Sequence, residues 1–291
     1  MELVIASGKG GVGKTTFSTS LAVLLKNHNF GIVDADAEAP NMHLIFDISK
    51  WDQEIDYAEK SLAEIDYSKC THCKICLENC PYEAIHERNG KVEIKKYLCE
   101  GCNVCGILCP EKAIKIKSKE HSGWIRVAKT DYGPFITSEL DVGQPNSGKL
   151  VTEEKKIARE WRKRGEIKHI IVDSAAGIGC QVISSMSGAS HAILVGEPTK
   201  SSLSDLSRAY YLANHFRIKS YIVINKYDIN PEFTGIKDFA YDNGIEIIGK
   251  IPYDKNVPLS MAYKKPLVIY SENSKAAKAI KDISSVVEQL L

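Results

Sequence analysis

Short apolar runs recur along the chain, and most are followed by a stretch with helical spacing. The first is Glu2–Ser7 (ELVIAS); beyond a glycine-rich loop, Leu21, Leu24 and Leu25 share one face and predict a helix over Phe17–Lys26. Further runs are Phe30–Asp34 (FGIVD), His169–Asp173 (HIIVD), Ala192–Gly196 (AILVG), Ser220–Asn225 (SYIVIN) and Glu246–Ile251 (EIIGKI). Runs that are apolar throughout suit strands covered on both sides. Alternating with helices, they predict an α/β fold: a mostly parallel sheet with helices on both faces. Helical patterns at Thr152–Arg164 and Ser274–Leu291 add to it, the second as the last layer of the sheet domain.

The alternation breaks between about Asp66 and Lys119, where two half-repeats, CTHCKICLENCPYEAI and CEGCNVCGILCPEKAI, follow each other. They predict a small inserted module, dividing the chain into 1–65, 66–119 and 120–291, with the outer parts forming one domain. Trp124–Leu150, rich in Gly, Pro and polar residues, predicts no clear element.

Charge changes this picture little. The 291 residues carry 38 Lys+Arg against 37 Asp+Glu, a balance that argues against general binding to nucleic acid or anionic membrane. No apolar stretch approaches the roughly 20 residues that cross a bilayer, and Met1 leads directly into an apolar run, so a cytoplasmic protein is expected. Nothing after Lys281 is basic, which counts against a C-terminal membrane anchor.

The glycine loop carries specific chemistry. Gly8-Lys9-Gly10-Gly11-Val12-Gly13-Lys14-Thr15 satisfies G-x-x-x-x-G-K-[ST] between a strand and a helix. Backbone N–H groups there, through Thr16 at the helix start, can wrap phosphate oxygens; Lys14 adds a charge and the Thr15 hydroxyl can ligate magnesium. The same residues also fit the dinucleotide pattern G-x-G-x-x-G, but Lys14 and Thr15 decide for a nucleoside triphosphate.

With its early lysine, Lys9, GKGGVGKT resembles the deviant P-loop of the MinD/ParA superfamily, which includes the nitrogenase iron protein. The resemblance implies a magnesium-dependent ATPase, slow without a partner, in which Lys9 reaches across an ATP-dependent homodimer, or a heterodimer of paralogues, to the partner's phosphates. Asp34 and Asp36 in VDADAEAPN resemble the first switch region, with Asp34 near magnesium and Asp36 orienting or deprotonating the attacking water. Asp173 in IIVDSAAGIG resembles the Walker B aspartate, which holds a magnesium-bound water, and Gly177 the γ-phosphate sensor of the second switch. Relatives often carry prolines at Ala175 and Ala176, which implies a more mobile loop here. Asn225 in NKYD resembles the adenine-reading asparagine, and Pro252 in IPYD lies where the family closes over the base.

Of nine cysteines, eight fall between Cys70 and Cys109, a clustering that points to metal rather than to disulfides. Both runs have the C-x2-C-x2-C-x3-C-P spacing of bacterial ferredoxins, in which the fourth cysteine ligates the other cluster. Cys70, Cys73, Cys76 and Cys109 then hold one [4Fe-4S] cluster, and Cys99, Cys102, Cys105 and Cys80 a second. C-x2-C pairs also suit zinc, but two tandem three-plus-one runs, each followed by Pro (Pro81, Pro110) and Ala-Ile, favour the cubane. His72 is redundant as a ligand and expected to be exposed. Lys115, Lys117 and Lys119 mark a solvated strand face or a docking site for an acidic partner. Cys180 is expected to be a buried small hydrophobe; outside the module it stands alone, whereas a cluster bridging two subunits needs two thiolates from each.

As a whole the chain resembles MinD-superfamily ATPases with an inserted ferredoxin domain, a subgroup that Glu197–Thr199 (EPT) and Asn146–Val151 (NSGKLV) also resemble. This implies an α+β ferredoxin-like insert, two cubane clusters, ATP, Mg2+ and a redox partner protein, with nucleotide state gating low-potential electron transfer. An iron-sulfur cluster carrier is the alternative, although the C-terminal half has no C-x-x-C; a MinD-like positioning ATPase is a third.

Overall fold

The computed structural model describes residues 1–58, 61–118, 121–142, 144 and 147–291. In chain order its strands are β1 (Glu2–Ser7), β2 (Phe30–Ala35), β3 (Gln53–Tyr57), β4 (Ser61–Ile65), β5 (Ile85–Arg88), β6 (Lys91–Ile94) and β7 (Ile114–Ser118), then β8 (Gly123–Thr130), β9 (Gly133–Leu140), β10 (His169–Ala176), β11 (His191–Gly196), β12 (Lys219–Asn225) and β13 (Glu246–Ile251). Two compact units result, one formed by Met1–Ile55, Ile125–Glu139 and Asn146–Leu291, the other by Asp56–Trp124 and Leu140–Pro145.

The large sheet has the order β13-β12-β11-β1-β10-β2-β9-β8-β3, and its pairs from β13 to β9 are parallel. Each apolar run read from the sequence is one of its strands. Side chains alternate between the faces: Leu3, Ile5, Phe30 and Ile32 meet Phe17 and Leu21 of the helix Lys14–Leu24 and Ile280, Ile283 and Val287 of the helix Lys275–Glu288. Each such buried side chain contributes about 1.5–3 kcal/mol. Val4, Val33 and Leu194, equally buried, point to the other face, onto which the helices Ser147–Lys163 and Lys200–His215 pack. The parallel α/β expectation therefore holds. Among the described residues no helix is long and apolar enough to cross a membrane.

Trp124–Leu150 contains a hairpin, β8 and β9 turning at Asp131–Tyr132, which extends the sheet. Its edge is charged: Arg126 on β8 reaches Glu54 on β3 at 3.1 Å and Glu139 on β9 at 2.6 Å. Charges along an edge discourage pairing with other chains.

The second unit joins two antiparallel pairs, β4 with β7 and β5 with β6, to the short helices Ile75–Glu78 and Val104–Leu108. Ala63, Ala84, Ile85, Val92 and Ile114 form its core. A boundary at residue 66 would separate β4 from β7, although Ala63 of β4 belongs to that core; this strand is too short and too weakly apolar for its pattern to assign it.

Candidate functional site

At the end of β1 the glycine loop is shaped by close approach. A Cβ on Gly8 would lie 2.0 Å from the Asp205 carbonyl oxygen; Gly13, at φ 92°, takes a left-handed conformation, and a Cβ there would lie 2.4 Å from Asn225 Nδ2. Lys14 is buried, and its Nζ donates to Ser7 Oγ at 2.8 Å, which itself donates to the Lys9 carbonyl at 2.7 Å. Burial lowers the Lys14 pKa, against the pull of Asp173 and Asp36.

Beneath the loop, Thr15 Oγ1 and Ser18 Oγ each donate to the Asp173 carboxylate at 2.7 Å. Asp34 Oδ2 accepts the N–H groups of Asn41 and Met42 at 3.0 and 2.9 Å, while its buried Oδ1 has no hydrogen-bond partner. Burial, with Asp173 close by, pushes Asp34 up to about 8, and burial also raises Asp173 and Asp36. An orphaned carboxylate oxygen beside a second carboxylate and a threonine hydroxyl is a hard-oxygen set that fits a divalent cation such as Mg2+.

One consequence is measurable. The unfolded chain ionises Asp34 near 3.8, whereas the folded chain keeps the proton to about 8, so stability of the metal-free protein falls as pH rises between these values. Asp34→Asn should make melting temperature in chelator depend less on pH across that interval. A slope as steep as that of the unsubstituted protein would contradict the shift.

A cavity of about 400 Å3 is lined by Gly10, Gly11, Gly13, Lys14, Thr15, Thr16, Asp36, Asn225, Lys226 and Pro252, together with the apolar Val257, Met261, Leu267 and Ile280. Asn225 donates from Nδ2 to the Val12 carbonyl at 2.7 Å, and Lys226 Nζ bridges Glu197 Oε1 at 2.5 Å and the Gly11 carbonyl at 3.2 Å. Both side chains thereby hold the loop as well as line the cavity.

The cysteine unit contains two smaller cavities. Cys70, Cys73, Cys76 and Cys109 line one; Cys80, Cys99, Cys102 and Cys105 line the other. Backbone geometry repeats between the runs: His72 and Gly101, Lys74 and Asn103, and Glu83 and Lys112 are corresponding left-handed residues. Cys80 and Cys109 each accept a backbone N–H, from Ala84 and Ala113, at 3.3 Å. Burial raises the Cys76 thiol and pushes Cys105 up to about 11. Among the described residues no three His, Cys, Asp or Glu side chains draw together closely enough for one metal ion; the thiols stand around each cavity instead.

The model of the CobQ/CobB/MinD/ParA nucleotide-binding domain matches residues 3–267. The chain belongs to this family. An uncharacterized protein of Methanocaldococcus jannaschii is 34% identical over all of this chain and 98% of its own length. An iron-sulfur cluster carrier protein of Pyrococcus horikoshii is 25% identical, over 97% of this chain and 84% of its own. The septum site-determining protein MinD complexed with Mg-ADP, from Pyrococcus horikoshii, shares the fold at a TM-score of 0.63 and 19% identity, over 99% of this chain and 96% of that one.

Within this CobQ/CobB/MinD/ParA domain, the cavity brings together Gly10, Gly11, Gly13, Lys14, Thr15, Thr16, Asp36, Asn225 and Pro252. Asp34 and Asp173 lie buried below it, and Val12 packs its side chain into the core. Gly8, Lys9 and Gly177 are not among the lining residues; Lys9 is exposed, and Gly177, at φ 96°, donates its N–H to the Ser7 carbonyl at 3.0 Å.

Two expectations are corrected. Cys180 is exposed, because it opens the short helix Cys180–Met186 directly after the glycine-flanked turn Gly177–Gly179; it lies so close to Gly148 that a Cβ there would come within 2.8 Å of the Cys180 Cβ. His72 is half-buried: its Nδ1 accepts the Val92 N–H at 3.3 Å and lies 3.6 Å from Cys70 Sγ. Lys115 and Lys117 are exposed on β7, and Lys117 pairs with Glu64 at 2.5 Å; Lys119 and Asn146 lie outside the described residues.

Ser7, Ser18, Gln181, Glu197 and Lys226 carry site contacts that the motifs did not assign. Only the EPT and NKYD segments drew attention to two of them. A serine or glutamine remote in sequence has no local signal for its partner.

Proposed function

We propose that the chain is a magnesium-dependent ATPase whose nucleotide-driven dimer gates low-potential electron transfer through two [4Fe-4S] clusters in the cysteine unit. The observation that carries this reading is the partition of eight thiols into two cavities, each lined by three cysteines of one run and the fourth of the other. Residues spaced around a cavity, with left-handed positions that turn successive N–H groups to one side, fit a polynuclear anion better than a single ion. When bound, such clusters supply one-electron transfer.

For the ATPase, family membership and the cavity support assigned roles. Loop N–H groups and Lys14 bind the phosphates, Thr15, Asp34 and Asp173 hold magnesium directly or through water, and Asp36 holds the attacking water. Asn225 and Pro252 flank the base, and Gly177 senses the γ-phosphate. Exposed Lys9 is free to reach the phosphates of a second copy, making the homodimer the active form. The cysteine unit is inserted in the chain between Asp36 and Asp173, which lie in the two switch segments.

Anaerobic EPR titration of the reduced protein, with and without ATP and magnesium and against analysed iron, tests the reading. It should give about eight iron atoms per chain and two low-potential signals whose midpoints or line shapes move with nucleotide. Iron well below that content would overturn the cluster assignment. A cluster carrier is the second reading, favoured by the iron-sulfur carrier relative; transfer of iron and sulfide to an apo acceptor would select it.

A further inference from the structure

Pairing of β2 with β10 ends at Ala35 and Ser174, the point where the two expected switch segments leave the sheet. Beyond it one side chain joins them again. Gln181, on the helix that follows Gly177, accepts the Ala37 N–H on its Oε1 at 2.9 Å. Both residues are buried, Gln181 at 7% exposure and Ala37 at 0%. Ala37 directly follows Asp36, which lines the cavity. At its other end the same loop is held by Asp34 Oδ2 through Asn41 and Met42.

We propose that Gln181 is a positioning residue for ATP hydrolysis: by fixing the Ala37 amide, it sets Asp36 against the cavity and makes that placement follow the segment carrying Gly177. This rests on the ATPase reading above. A buried N–H left without its acceptor is unfavourable, so the loop moves to recover a partner when the acceptor is lost. Movement of one residue at Ala37 displaces the neighbouring Asp36 carboxylate, while Lys14, Thr15 and the loop amides stay where they are. Hydrolysis and nucleotide binding therefore respond differently.

The test compares Gln181→Met, which keeps volume but removes the acceptor, with Gln181→Glu, which restores one. Gln181→Met should lower kcat about tenfold while the Kd for magnesium with the non-hydrolysable analogue AMPPNP changes less than about twofold. Gln181→Glu should recover part of kcat, and the Ala37 amide should exchange with solvent faster in the Met variant alone. Unchanged kcat in Gln181→Met overturns the proposal, as does loss of AMPPNP affinity in proportion to kcat. Should the Met variant fail to fold, the Glu variant and amide exchange in the unsubstituted protein decide: a fast-exchanging Ala37 amide in the latter overturns it. Absence of ATPase activity in the unsubstituted protein would instead overturn the ATPase reading.

Discussion

Lys14→Ala is expected to abolish nucleotide binding, weakening it at least about a hundredfold, because its charge-assisted contacts are worth about 1.5–3 kcal/mol each and more than one is lost. Three carboxyl groups, Asp34, Asp36 and Asp173, lie around or beneath the same cavity, and Lys14 is the buried cation among them. Without it the remaining charges oppose a triphosphate. The fold should tolerate the change, since the hydrogen bond Lys14 makes among the described residues is to Ser7 Oγ, a hydroxyl that already has the Lys9 carbonyl as a partner. Calorimetric titration with MgADP and MgATP, beside a melting curve, checks both parts. An affinity within tenfold of the unsubstituted protein would place the phosphates elsewhere.

Cys109→Ser and Cys80→Ser should each remove the cluster of the opposite run. Cys109 lines the cavity of Cys70, Cys73 and Cys76, and Cys80 that of Cys99, Cys102 and Cys105. Iron should fall by about half in each variant, with different EPR signals surviving, and the double variant should lose both. Loss from Cys109→Ser of the signal that Cys102→Ser removes, rather than the one that Cys73→Ser removes, would show that the runs do not cross. Three remaining thiolates can leave a smaller cluster, so iron analysis and EPR are read together.

Regularity decides what could be read from the sequence. Central parallel strands are apolar on both faces, and a run such as HIIVD or SYIVIN admits no other reading in this context. The grouping of the loop residues and of the cysteines around their cavities was equally plain, because both motifs are set by local spacing. The hairpin β8–β9 escaped because Gly, Pro and charged residues interrupt its alternation, and because its partners β2 and β3 lie far back in the chain. Contacts such as Asn225 to Val12 and Gln181 to Ala37 depend on which strands become neighbours. The burial of Cys180 was misjudged for a related reason: an average preference of cysteine for the interior says nothing about a helix that starts on an exposed turn.

The central position of β1 bears on how the molecule is made. Its neighbours are β10 and β11, which begin at His169 and His191, so the middle of the sheet cannot close until the ribosome has released most of the chain. All eight clustered cysteines have emerged well before that. Under the cluster assignment proposed above, metal loading would start on a nascent chain whose nucleotide site does not yet exist, and a chain starved of iron during synthesis would carry bare thiols and a complete sheet.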